Sequence, residues 1–311
     1  MSEAKQDIII LRRVSKHFGA RIAVADLDLN VPRGVCYGLL GPNGAGKTTT
    51  LRMVYGVARP SSGSIHVFGI DVVQSPRAVR SRLGVTLQEN VQIESLSAED
   101  NLRVFGRYHR MREPALTRRI EALLDTFELR SHLGVPVKAL SGGFRRRLAI
   151  AMSLINEPEL LILDEPTTGL DPAVRLAVWS HIRGLRARGT TLLLTTHYMD
   201  EAERLCDRVA IVNEGRVACE DRPSALIQTH VAPHAVELDC TPDEEVTMLE
   251  GVPGRRLRSG SRLIVYTDAV ESLAARIQTH DRGDRRTLAI RSANLEDVFL
   301  ATTGTHLEER H

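Results

Sequence analysis

Gly41-Pro-Asn-Gly-Ala-Gly-Lys-Thr48 carries the most explicit chemistry in this sequence. Gly41, Pro42, Asn43, Gly44, Ala45 and Gly46 make a turn poor in bulky Cβ atoms, so backbone N–H groups can close around a polyphosphate. A helix expected from Lys47 onward points its positive dipole end at the same anion. Lys47 is placed to reach the β- and γ-phosphates and Thr48 to ligate Mg²⁺, with Thr49 next in the first turn. The plainer alternative is a glycine turn before a helix that happens to carry Lys-Thr. Composition argues against it. Of 41 basic residues only Lys5, Lys16, Lys47 and Lys138 are lysines. A lysine kept at this place suits a compact point charge, which a planar guanidinium does not replace.

Other residues carry chemistry downstream. Leu160-Leu-Ile-Leu-Asp164-Glu165-Pro166 is an apolar run ending in two carboxylates. Asp164 can support Mg²⁺ and Glu165 can polarise an attacking water, although two acids at a strand end can also simply begin a loop. Gln88 closes the run Leu83–Gln88 and either reaches a metal or water or faces solvent. His197 closes Thr190–Thr196; it is a γ-phosphate contact or a structural histidine. In Leu140-Ser-Gly-Gly-Phe144, Ser141 suits a helix N-cap. The cap does not explain Gly142 and Gly143, each costing about 1 kcal/mol relative to Ala in a first turn. Uncovered N–H groups there suggest a second phosphate-contacting surface. Asp171 before Pro172 has the chemistry of another N-cap. Phe18 offers adenine an aromatic face, or fills the core.

The elements that must hold these residues read as alternating strands and helices. Ile8–Val14 and Val24–Val31 are expected as strands, the second as the edge of an antiparallel layer. Further strands are expected at Ser64–Phe68 and Leu83–Gln88. The continuous apolar runs Leu160–Asp164 and Thr190–Thr196 read as parallel strands buried on both faces. The phosphate-loop helix is expected to reach about Val57, and another to cover Pro76–Arg82. Residues 90–155 read as a helical subdomain, with Ser97 capping a helix whose Leu102, Phe105 and Tyr108 share a face. The Arg145–Arg147 and Arg255–Arg262 clusters read as solvated faces.

With 311 residues the chain can build one large domain and a smaller one. Its net charge of +2 is too small to argue for nucleic acid as a partner. The four cysteines lack metal-ligand spacing, which suits a reducing cytoplasm. No run has the length of a membrane span, so action at a membrane is expected only through a partner.

Taken together, the phosphate-loop stretch, Gln88, the Leu140–Gly143 motif, the run ending at Glu165, Gly169-Leu-Asp171 and His197 stand in the order seen in ABC-transporter ATPases. The resemblance covers about residues 7–220. It implies a P-loop α/β core with an antiparallel β layer and a helical subdomain. It also implies a head-to-tail homodimer, each ATP lying between the phosphate loop of one subunit and the Ser141–Gly143 motif of the other. Carried over, Phe18 stacks on adenine, Lys47 and Thr48 bind phosphate and Mg²⁺, and Gln88 senses metal and water. Asp164 supports Mg²⁺, Glu165 is the base, Asp171 signals across the dimer and His197 is the switch histidine. Two departures stand out. Phe144 replaces the usual Gln, and Gly169 stands where Ala is common.

Leu193–Val217, Glu165–Pro172 and Ala293-Asn-Leu-Glu-Asp-Val-Phe-Leu300 resemble ATPases of ABC-2 type exporters. Asn101–Tyr108 is similar to the nodulation-factor (NodI-like) branch, with daunorubicin-resistance (DrrA-like) ATPases close to it. This implies a permease partner and a peripheral place on the cytoplasmic face of the inner membrane. An ABC ATPase in translation or repair is the first alternative, but neither a second cassette nor a long coiled-coil insertion is present. An importer ATPase is the second, disfavoured by the exporter-like tail. The ATP-binding domain is expected over 1–229 and a small α+β accessory domain over 230–311. Within the latter, strands are expected at Ala235–Cys240, Arg262–Thr267 and Arg286–Arg291, and helices at Ala269–His280 and Asn294–Thr303.

Overall fold

A computed structural model describes residues 6–89, 91–280 and 288–304. The chain divides into two compact units, Met1–Ala218 and Cys219–His311. The division precedes the expected boundary at 229/230, and the helix Pro223–His230 goes with the second unit.

In the first unit, β1 (Asp7–Phe18) and β2 (Arg21–Pro32) form a long antiparallel hairpin. β3 (Cys36–Leu40) leads through the glycine-rich turn into α1 (Lys47–Val54). β4 (Ser62–Val67), β5 (Ile70–Asp71), α2 (Pro76–Arg80) and β6 (Leu83–Thr86) follow. Then come the helices α3 (Ala98–Tyr108), α4 (Ala115–Thr126) and α5 (Gly142–Ser153). β7 (Leu160–Asp164), α6 (Pro172–Ala187), β8 (Thr191–Thr196), α7 (Met199–Leu205) and β9 (Arg208–Asn213) follow, and the division at 218/219 falls within β10 (Arg216–Asp221).

One sheet has the order β2-β1-β4-β5, so β2 is an edge of an antiparallel layer. The other has the order β10-β9-β3-β8-β7-β6, and its pairs from β9 through β6 are parallel. Every residue of β3, β7 and β8 is buried. Covered faces on both sides are what their uninterrupted apolar runs require. The parallel register sets Leu40 beside Thr196 and Asp164 beside Thr195. Three strands therefore end at one level, where open α/β sheets hold ligands.

α3 starts where Ser97 accepts the Asp100 N–H at 3.1 Å. Its expected apolar face is shorter than the sequence pattern suggests: Leu102 is buried but Tyr108 is exposed. The phosphate-loop helix also ends earlier than expected, at Val54, and α2 stops at Arg80.

The second unit contains α8 (Pro223–His230), β11 (His234–Asp239), α9 (Pro242–Leu249), β12 (Arg256–Ser259) and β13 (Arg262–Thr267). α10 (Val270–His280), β14 (Leu288–Ser292) and α11 (Leu295–Thr303) follow. Its all-antiparallel sheet has the order β12-β13-β11-β14, the split β-α-β arrangement of ferredoxin-like folds. Val236, Leu238, Leu263 and Val265 on the sheet pack with Leu249, Leu273 and Ile277 on the helices. Residues 286 and 287 of the expected last strand lie outside the described residues. β12 and α9 were not expected. Arg255, Arg256 and Arg262 are exposed as expected of a solvated face, whereas Arg258 is half-buried and donates to Glu245 Oε2 at 2.7 Å and to Cys240 O at 2.7 Å.

Cys36 and Cys206 are buried, with their sulfurs 3.9 Å apart; Cys240 is buried in the second unit, and Cys219 is half-buried. No helix among the described residues is long and apolar enough to cross a membrane.

Candidate functional site

The turn between β3 and α1 closes on itself through Ala45 N–H donating to Pro42 O at 3.2 Å. Gly46 sits at φ 102° as the residue before α1, and a Cβ there would lie 2.4 Å from Ala23 O. Only glycine fits both the left-handed backbone and that approach. The Lys47 ammonium is buried inside the turn, donating to Gly41 O at 2.6 Å and Pro42 O at 3.1 Å. Burial lowers its pKa, against the opposing pull of the Glu165 and Asp164 carboxylates.

The carboxylates at the end of β7 face this turn. Asp164 Oδ1 accepts the Thr48 hydroxyl at 3.3 Å and the Thr195 hydroxyl at 2.6 Å. Glu165 adopts a left-handed backbone, φ 45°, uncommon for a residue with a Cβ. Its N–H is held by Thr195 O and Thr195 Oγ1, both at 3.1 Å. Its Oε2 accepts from Gln88 Nε2 at 3.2 Å and Thr168 Oγ1 at 3.1 Å. Its Oε1 lies 3.5 Å from His197 Nδ1. The His197 ring facing the carboxylate holds Glu165 below the usual glutamate range, helped by Lys47 and Thr168, while burial opposes this. Lys47, Thr48, Gln88, Asp164, Glu165 and His197, far apart in sequence, thus meet at one strand-end level.

Phe18 is 55% exposed, which removes core packing as its role. The Lys16 ammonium lies 4.9 Å from its ring centre. Phe18 pairs with Arg21 across the hairpin, and a Cβ at Gly44 would lie 3.5 Å from Arg21 Nη2. The hairpin end is therefore beside the phosphate turn.

Ser141, Gly142, Gly143 and Asp171 form a second group; among the described residues no hydrogen bond joins it to Lys47, Thr48 or Glu165. Ser141 Oγ accepts the Phe144 N–H at 3.3 Å and caps α5. Gly142 faces open space. A Cβ at Gly143 would lie 2.7 Å from a Val174 methyl, so close packing against α6 also explains that glycine. Asp171 Oδ1 accepts the Val174 N–H at 3.0 Å and caps α6. Phe144 is buried, its ring edge-on to His132 with centres 5.2 Å apart.

Thr195, Thr168, Glu201 and Arg146 also bear on the site, although no motif in the sequence marks them. Thr195 was legible as a hydroxyl one residue before the end of a buried strand. Glu201 is fully buried and accepts from Thr167 Oγ1 at 2.7 Å and Trp179 Nε1 at 2.8 Å. Arg146 corrects the expected solvated cluster, since it is 7% exposed. It donates to Leu87 O at 2.6 Å, Asp164 O at 3.0 Å, Glu165 O at 2.9 Å and Pro166 O at 2.6 Å. The signal was its place in a stripe with Ala149, Ile150 and Ser153, all buried at i, i+3, i+4 and i+7.

Residues 24–168 match the ABC transporter family, and residues 245–304 match the NodI C-terminal domain of nodulation factor export proteins. The Nod factor export ATP-binding protein I of Sinorhizobium fredii is 44% identical over 99% of this chain and 90% of its own length. The chain belongs to the NodI family of ABC-transporter ATP-binding proteins. Its counterpart in Cupriavidus pinatubonensis is 42% identical over 97% of this chain and 92% of its own. Among solved structures, an ATP-binding subunit of an ABC transporter is similar at TM-score 0.65 and 30% identity, over 71% of this chain and 92% of that one. A dimeric ATP-binding cassette in a post-hydrolysis state with ADP and phosphate shares the fold, at TM-score 0.63 and 24% identity, over 69% and 98%. This member of the ABC ATPases binds nucleotide and is an ATPase.

Proposed function

We propose that this chain is the ATPase subunit of an ABC-2 type exporter for a lipo-oligosaccharide or similarly amphiphilic cargo. The relatives named for Nod factor export support this, matching it almost end to end. It works as a homodimer under a separate permease, reaching the cytoplasmic face of the inner membrane only through that partner. The first compact unit binds ATP, and the second, beginning near Cys219, serves as an accessory domain. Thr48 Oγ1 and Asp164 Oδ1 are hard oxygen donors at hydrogen-bond distance, a set that suits Mg²⁺. Bound there, Mg²⁺ would neutralise phosphate charge. Lys47 and the turn's N–H groups hold the phosphates, Phe18 meets adenine, and Ser141–Gly143 and Asp171 face the partner subunit's nucleotide.

The observation that carries the catalytic reading is the Glu165 carboxylate flanked by Gln88 and His197. Glu165 is ionised and placed to accept a proton from the attacking water. Catalysis is otherwise positioning and electrostatics. Glu165→Gln is expected to keep ATP binding, lower turnover by about 10²–10⁴-fold and accumulate an ATP-locked dimer. Near wild-type hydrolysis by that variant would remove Glu165 from the role.

A further inference from the structure

Arg146 lies on α5, the helix that opens with Ser141-Gly142-Gly143. Among the described residues its guanidinium hydrogen-bonds only backbone carbonyls, and those belong to three segments of the catalytic level. Leu87 precedes Gln88, Asp164 and Glu165 end β7, and Pro166 begins the loop to Asp171. A planar fork with five N–H donors can serve four acceptors at once; an ammonium cannot match that geometry. Burial lowers the guanidinium to about 10, so it remains charged at neutral pH.

The next residue of the loop is held from the other side. Thr167, fully buried, donates to Glu201, which also takes the indole N–H of Trp179, the chain's single tryptophan. The Pro166–Thr167 segment thus runs between a buried guanidinium and the buried Glu201 carboxyl, whose pKa burial raises, directly after the left-handed Glu165. Stability alone does not require such an arrangement, because apolar side chains of similar volume often stabilise as well.

We infer that Arg146 is a positioning residue that couples the Ser141–Gly143 end of α5 to Gln88 and Glu165 of the same subunit. Engagement of that helix end by the partner subunit's nucleotide moves Arg146, and Arg146 carries the backbone of the base and the glutamine with it. The two nucleotide sites of a dimer are thereby linked through each subunit's own α5. The inference rests on the reading that Ser141–Gly143 meets nucleotide across the dimer.

The test uses the full-length chain with Arg146→Gln and Arg146→Lys, and Ser141→Arg as control. Measured quantities are kcat, affinity for Mg²⁺ with the non-hydrolysable analogue AMP-PNP, thermal melting and Trp179 emission. Both Arg146 variants are expected to lose at least about tenfold in kcat while analogue affinity stays within about threefold. The AMP-PNP-dependent change in Trp179 emission should be present in wild type and absent from Arg146→Gln. Should Arg146→Gln fail to fold, Arg146→Lys, which keeps the charge without the fork, carries the same expectations. Wild-type kcat in a folded variant overturns the inference, as does a kcat loss matched by equal loss of affinity. Ser141→Arg without turnover beside an active Arg146→Gln removes this inference alone. Ser141→Arg with wild-type turnover removes the reading of the helix start, and this inference with it.

Discussion

Phe144 replaces a polar residue with a buried aromatic at a helix start expected to meet nucleotide. Its ring packs on His132 with the Arg147 guanidinium 5.8 Å from its centre, and its N–H is already used by Ser141. The side chain is turned into protein, so its identity should matter little to phosphate. Phe144→Gln is expected to change steady-state hydrolysis by less than about tenfold, under ~1.4 kcal/mol of barrier. Ser141→Arg puts bulk and charge at the exposed helix start and should abolish turnover while ATP binding by the monomer persists. Equal damage from both changes would show that residue 144 shares the phosphate contact. The residue scale is also where the sequence was least legible. Motif spacing located Lys47, Thr48, Asp164 and Glu165, because their chemistry depends on local backbone. Thr195 and Arg146 act on carbonyls and carboxylates distant in sequence, and residue type alone does not reveal such partners.

Among elements, the helix starts do double service. α6 begins with Asp171 accepting the Val174 N–H, and Val174 fills the space left by the missing side chain of Gly143. The caps of α5 and α6 are therefore adjacent, and the geometry of one limits the other. Asp171→Ala should lower stability by about 0.5–2 kcal/mol through the lost cap, read as a lower midpoint in urea. An unchanged midpoint would mean that packing alone fixes the start of α6. Element types were legible where hydrophobic period and capping agreed, as in β7, β8 and α3. Element ends were less so: β6 stops at Thr86, leaving Gln88 beyond it, and α1 stops at Val54. The strand β12, four residues with three of them Arg or Ser, was hidden because its ladder and the bonds of Arg258 to Glu245 and Cys240 are tertiary facts.

Across the whole molecule, the phosphate-site residues all fall within the first compact unit, and the second has its own sheet and core. A chain ending at Thr229 is expected to bind Mg-ATP with affinity within about tenfold of the full chain, measured by calorimetry. Complete loss of binding by the folded shorter chain would assign the tail a part in the nucleotide site. The composition of the tail showed an α+β domain without revealing its strand order, since order is decided by which edges meet, and no local pattern encodes that.

The buried thiols offer a clock. Cys36 and Cys206 lie inside the first unit, Cys240 inside the second, and Cys219 is half-buried. A buried thiol reacts with an alkylating reagent only when its surroundings open, so its modification rate reports the opening free energy of its own unit. Mass spectrometry of peptides after timed alkylation would then give two opening rates from one unmodified chain. Cys36 sits on the strand that feeds the phosphate turn, so nucleotide should slow its alkylation, and the Cys240 rate supplies an internal reference from the same tube.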